Sequence, residues 1–100
     1  MTRGIIMKND QLKLKNYMED VVILLIDELM KDRDMCKCEH CRMDIMAIAL
    51  NKLIPKYIVT REGEVYAKTD LLSRQYRTDV IIQLLKAIDI VSKNPHHKSF

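Results

Sequence analysis

The sequence predicts a mostly α-helical fold: three main helices, with a short β-hairpin between the second and third, assembled as a dimer. Three observations carry that prediction. Hydrophobic residues make up 48% of the chain against 31% charged, with only two Gly and two Pro, which excludes a disordered tail, a collagen-like repeat and a disulfide-framework toxin. Apolar residues recur at helical spacing over three long stretches. Two of those stretches carry more apolar surface than one small chain can cover, since 100 residues bury only roughly 60–65% of their unfolded surface.

Residues 1–11 read as a loose leader whose apolar group, Ile5-Ile6-Met7, either docks on the domain or forms a short strand. The single domain is expected over residues 12–95, with residues 96–100 as a tail. The first helix is expected at about 12–31. At about 100° per residue, Leu14, Met18, Val21, Val22, Leu25 and Leu29 fall on one stripe. Tyr17 and Leu24 widen that stripe on one flank, and Ile23, Ile26 and Met30 on the other. The second helix is expected over 39–53, ending before Pro55, because a residue preceding proline is pushed out of the α region. Its middle, from Met43 to Leu50, holds one polar residue, Asp44. Apolar surface around most of two helices points to a homodimer.

From Lys56 the pattern changes. Tyr57-Ile58-Val59-Thr60 is aromatic and β-branched, Gly63 suits a tight turn, and Val65-Tyr66-Ala67 supplies a return strand. Thr69 or Asp70 then caps a last helix over about 71–93, with Tyr76, Val80, Ile81, Leu84, Leu85, Ala87, Ile88 and Val91 as its stripe. Asn94-Pro95 stops it.

The longest apolar run, Val21 to Ile26, is six residues, against the ~20 that a membrane-spanning helix needs. No secretory leader opens the chain, so a cytoplasmic location is expected. The formal charge of +3 is unevenly spread: the first fifty residues sum to −1 and the second fifty to +4. Such an excess permits an anionic partner without requiring one.

Cysteine usage is the chemically informative feature. All three cysteines fall within six residues, in Cys36-Lys37-Cys38-Glu39-His40-Cys41. In a cytosolic chain that pattern reads as a ligand cluster and not as a disulfide framework. Zn2+ takes four ligands in a tetrahedron, and Cys38-x-x-Cys41 can wrap an ion as the chain enters a helix, with Cys36 adding a third sulfur. The fourth position is open to His40, Asp44, His96, His97, another subunit or water. The pair after the Asn94-Pro95 stop is preferred, and His97 over His96, which has less slack directly after proline. A second reading of Cys38-Glu39-His40-Cys41 is a thiol redox motif, but the strand that should precede such a motif is missing. The chain has no HExxH, no G-x-S-x-G and no phosphate-binding glycine loop, so no enzymatic role is expected.

These residues also carry a resemblance. Cys36-x-Cys38-x-x-Cys41-x-x-Asp44-Ile45-x-Ala47-x-Ala49-Leu50-Asn51-x-Leu53-x-Pro55-x-Tyr57 is similar to the signature of the late competence development protein ComFB family, over about residues 16–95. That resemblance implies a small, helical, dimeric, zinc-binding protein without enzymatic activity, an adaptor or regulator of an unknown protein partner. It also implies an alternative, since some members are receptors for cyclic dinucleotides (c-di-GMP or c-di-AMP). In the family a proline often stands where this chain has Ile54. Asn51, Pro55 and Tyr57 read as structural, Asn51 bonding the chain after Pro55 and Tyr57 packing its ring.

Arg74 and Arg77 fall on or beside the apolar stripe of the last helix, where an unpaired cation is costly. Either a carboxylate such as Asp27 or Asp44 meets them, or a phosphate does, with Lys68 and the helix start contributing. The chain lacks a recognition helix and the interleaved aromatics of a single-strand platform, which argues against direct nucleic-acid binding.

Overall fold

A computed structural model of the chain describes residues 12–61 and 65–94. Five elements follow one another: strand β1 (Leu12–Asn16), helix α1 (Tyr17–Met30), helix α2 (Glu39–Lys52), strand β2 (Tyr57–Arg61) and helix α3 (Val65–Lys93). The mostly helical class and the three helices are as expected. The leader, the Gly63 turn, Pro95 and the tail with His96 and His97 lie outside the described residues.

Strand pairing differs from expectation. A short strand does stand between α2 and α3, but its partner is β1, which runs antiparallel to it with Leu14 opposite Val59 and Asn16 opposite Tyr57. Residues 65–67, expected as the return strand, are instead the first turn of α3. Thr69 and Asp70 consequently lie within that helix and not at its cap. The first helix likewise starts at Tyr17, five residues later than expected. Leu12-Lys13-Leu14-Lys15-Asn16 alternates apolar and polar, the period of a strand with two unlike faces. Leu14 had matched the helical stripe by angle, yet it is 74% exposed.

Asn16 is where the strand becomes a helix. Its backbone is extended, and its side-chain Oδ1 accepts hydrogen bonds from the Met18 N–H at 3.1 Å and the Lys56 N–H at 2.8 Å. The Tyr17 N–H donates to the Lys56 carbonyl at 2.6 Å. One side chain thus satisfies an orphan donor of α1 and ties the sheet to the loop after α2. Asn51, expected to hold that loop, is exposed, and Tyr57, expected to pack its ring, is 65% exposed.

The core is formed by all three helices. Helix α1 supplies Met18, Val21, Val22, Leu25, Ile26 and Met30; α3 supplies Val80, Leu84, Ala87, Ile88 and Val91. Helix α2 contributes only Cys41, Ile45 and Ala49, one residue per turn, followed by Leu53. Its other apolar side chains are half-buried, apart from exposed Met43 and Ala47. Arg74 and Arg77, expected beside the stripe of α3, are both exposed on it, so neither carries the cost of a buried cation. The side chain of Lys68 lies outside the described residues.

Candidate metal centre

The cysteines are placed by the way α1 ends and α2 begins. The last turn of α1 is extended by backbone bonds from the Lys31 N–H to the Asp27 carbonyl, from Arg33 to Met30, and from Met35 to Arg33. These fold residues 31–35 back, so that Met35 and half-buried Cys36 pack against the core. Lys37 adds a bond from its Nζ to the Lys31 carbonyl at 3.3 Å. Cys38 is then extended (φ −71°, ψ 166°) and is the N-cap of α2. Its carbonyl accepts the Arg42 N–H, and its Sγ accepts the Cys41 N–H at 3.4 Å. Sulfur here takes the place usually filled by a Ser, Thr or Asp oxygen.

Cys41, three residues into the turn, is fully buried at the head of the stripe that continues through Ile45 and Ala49. The C-x-x-C spacing therefore joins an exposed cap to a buried third helical position. All three Sγ atoms lie within 4.8 Å of one another, and none is in a disulfide. Zinc–sulfur bonds of about 2.3 Å in a tetrahedron set their sulfurs about 3.8 Å apart. The cluster meets that separation with a small contraction of side-chain torsions, so its donor set and spacing fit a zinc ion.

The thiols are not equivalent. The Cys41 N–H, aimed at the Cys38 sulfur, holds the Cys38 thiol below its ordinary pKa. Burial pushes the Cys41 thiol up to about 12, with the neighbouring sulfurs adding to the rise. Without a positive ion the buried sulfur is a thiol; a metal is what makes its thiolate affordable.

The expected fourth ligands divide. His97 and His96 lie outside the described residues. His40 and Asp44 sit one turn apart on α2 with Nδ1 3.5 Å from Oδ2, and among the described residues the sulfur cluster gains no atom from either. Asp27, one of the carboxylates expected to meet Arg74 or Arg77, has another partner. Asp27 pairs with Arg42 through two bonds, Nε to Oδ1 at 2.9 Å and Nη2 to Oδ2 at 3.3 Å. The guanidinium holds the Asp27 carboxyl below its ordinary value. This fork clamps the end of α1 to the start of α2, next to Cys41. Sequence reasoning overlooked Arg42, whose one signal was its place directly after Cys41.

The family described as "Late competence development protein ComFB" matches residues 15–95. Competence protein ComFB of Bacillus subtilis (strain 168) is 32% identical over 83 residues, covering 82% of this chain and 85% of that protein. A solved structure, described as the structural characterization of the late competence protein ComFB from Bacillus subtilis, superposes with a TM-score of 0.69 at 33% identity. It covers 83% of this chain and 94% of its own. The chain belongs to the ComFB family of late competence development proteins, and with them is a non-catalytic protein of regulatory or adaptor type.

Proposed function

We propose that the chain is a homodimeric, zinc-binding adaptor or regulator of the competence-associated kind, acting on a protein partner in the cytoplasm. The carrying observation is the triad of sulfurs within 4.8 Å at the start of α2. In this reading Cys36, Cys38 and Cys41 hold Zn2+ and His97 completes the shell, giving three sulfurs and one nitrogen. A closed site of that composition is structural: it staples the loop before α2 to the core and supplies no reacting position. Elemental analysis of protein purified without chelator is expected to give about one zinc per chain. Truncation after Pro95 is expected to replace the nitrogen ligand by water and weaken zinc retention. An unchanged shell in the truncated protein would rule out the tail and move the choice to Asp44 or His40.

Support for the dimer is what one chain leaves uncovered. Ile23 and Leu24 stand exposed on α1, at 47% and 51%. Cross-strand neighbours Leu14 and Val59 stand exposed on the outer face of the sheet. Ile26, on the same flank of the stripe as Ile23 by helical angle, is fully buried in the core, so of these two Ile23 is the one that tests the interface.

A second reading, a receptor for a cyclic dinucleotide, is favoured by one observation. A cleft of about 470 Å³ opens between the C-terminal end of α2 and α3, lined by Leu53, Ile54, Pro55, Tyr76 and Ile82, with two cationic side chains, Lys52 and Lys56, against one carboxylate, Asp79. An apolar cleft with a few cationic groups suits a planar, phosphate-bearing ligand. Calorimetric titration with c-di-GMP and c-di-AMP tests it. Saturable binding lost in a Lys52→Ala, Lys56→Ala double variant supports it, and no heat at millimolar ligand removes it.

A further inference from the structure

We propose that Cys38 and Cys41 form a peroxide-responsive dithiol, in which a hydroperoxide oxidises the exposed Cys38 sulfur, Cys41 closes a disulfide onto it, and the metal held by the cluster is released. The inference rests on the zinc reading above and names a means by which that site is regulated.

The arrangement assigns the two sulfurs different tasks. Cys38 is exposed and Cys41 is fully buried, so an oxidant from solvent meets Cys38 first. The Cys41 N–H already points at the Cys38 sulfur, 3.4 Å away, which seats that sulfur over the first turn of α2. The cap and the third helical position are neighbours on one helix face. The two sulfurs have only to close from within 4.8 Å to a bond of about 2.05 Å, which side-chain torsions alone can provide. Cys36 is placed differently: it stands on the preceding loop, half-buried against the core, with one residue between it and Cys38. A closed structural zinc site usually shields its ligands; here Cys38 is the most accessible of the three cysteines.

The chemistry balances in two steps. In the first, the O–O bond of the hydroperoxide breaks: one oxygen passes to Cys38 Sγ as a sulfenic acid, and the other leaves as hydroxide or alkoxide and takes a proton. In the second, Cys41 Sγ attacks Cys38 Sγ, the S–S bond forms, and the S–O bond breaks with loss of water. Two electrons pass from the sulfur pair to the peroxide. The protons come from the two thiols, or from solvent where both are metal-held thiolates. Two of the three sulfur donors are then consumed, and Cys36 with one nitrogen donor is too small a set to retain the ion.

The test uses the full chain in two forms, reduced with one equivalent of zinc and reduced without metal, each treated with a small excess of hydrogen peroxide. A zinc-responsive dye, intact mass and peptide mapping after alkylation are read together. The expected result is a mass loss of two hydrogens, a Cys38–Cys41 link with Cys36 alkylated, and one zinc released per disulfide, all reversed by a dithiol reductant. Metal-free Cys36→Ser should still form the link, whereas metal-free Cys38→Ser should be oxidised at least about tenfold more slowly. A bridge that includes Cys36, sulfinic acid at Cys38 without a bridge, or zinc retained after the bridge forms would each overturn the proposal. A chain that never loads zinc but still forms the Cys38–Cys41 link overturns the zinc reading and the release step while leaving the dithiol. A loaded chain that forms no link overturns the dithiol alone.

Discussion

Two side chains, Cys41 and Asn16, organise the molecule at the residue scale. Cys41 is a core residue and, in the proposed zinc site, also a donor, so Cys41→Ser should lower zinc content and melting temperature together, measured by elemental analysis and thermal unfolding. Its thiol is pushed up to about 12 by burial while the Cys38 thiol is held low by the N–H that faces it. Metal uptake therefore has to displace protons, above all from Cys41. Zinc affinity should rise with pH between about 6 and 8, and calorimetry in buffers of different ionisation enthalpy should show proton release. A pH-independent affinity would contradict this. Asn16 does the work that Asn51 was expected to do. Asn16→Ala removes a helix cap and the bond to Lys56 at once, and should cost about 1–2 kcal/mol in denaturant unfolding. Asn51→Ala, at an exposed position, should cost within about 0.5 kcal/mol. Nothing in the residue types separates these two asparagines; only the position of Asn16 at a strand-to-helix junction does, and that junction depends on a pairing forty residues away.

Elements were legible in proportion to how local their causes are. The bounds of α2 follow from the cysteine loop before it and Pro55 after it, and spacing gives the buried face of α3 and the Met18, Val21, Val22 and Leu25 part of that of α1, which Ile26 and Met30 complete in place of Leu14. Strand β2 announced itself by composition, but its partner did not, because Leu12–Asn16 fits a short strand and the first turn of a helix about equally well. The start of α3 was hidden for a related reason: Val65-Tyr66-Ala67 suits a strand until β1 takes the place beside β2. Helix α2 is the least anchored of the three, with one buried residue per turn and the cysteine site at its head. Ile45→Ala should therefore cost about 2–5 kcal/mol, and Met43→Ala close to none, in the same unfolding assay. Chelation of zinc should selectively raise amide exchange in residues 36–45 while leaving the middle of α3 protected. The Asp27–Arg42 fork holds the same end of α2, but it is largely exposed on the Asp27 side, so Asp27→Asn should cost no more than about 1 kcal/mol at neutral pH. Because the folded carboxyl is held below its ordinary 3.8, that contribution is present above this value and is lost as pH falls through the folded value.

At the scale of the whole molecule, three helices close one core and leave apolar side chains exposed, among them Ile23 and Leu24 on α1, Leu14 and Val59 on the β1–β2 sheet, and Ile82 and Ile90 on α3. Excess apolar surface was legible in the sequence; which residues form it was not, since Ile23 and Ile26 differ by less than one turn and the structure puts one outside and the other inside. Ile23→Glu should yield a folded monomer by light scattering and circular dichroism, whereas Ile26→Glu should not fold. A wild-type monomer at micromolar concentration would end the dimer account. No helix among the described residues is long and apolar enough to cross a membrane. His97, the preferred fourth ligand, lies outside the described residues. The central claim is a zinc ion on three thiolates, and zinc-edge X-ray absorption on stoichiometrically analysed, reduced full-length protein tests it most directly. It should show about one zinc per chain with three sulfurs at about 2.3 Å and one nitrogen at about 2.0 Å. Substoichiometric zinc, or a shell with fewer than three sulfurs, would contradict it.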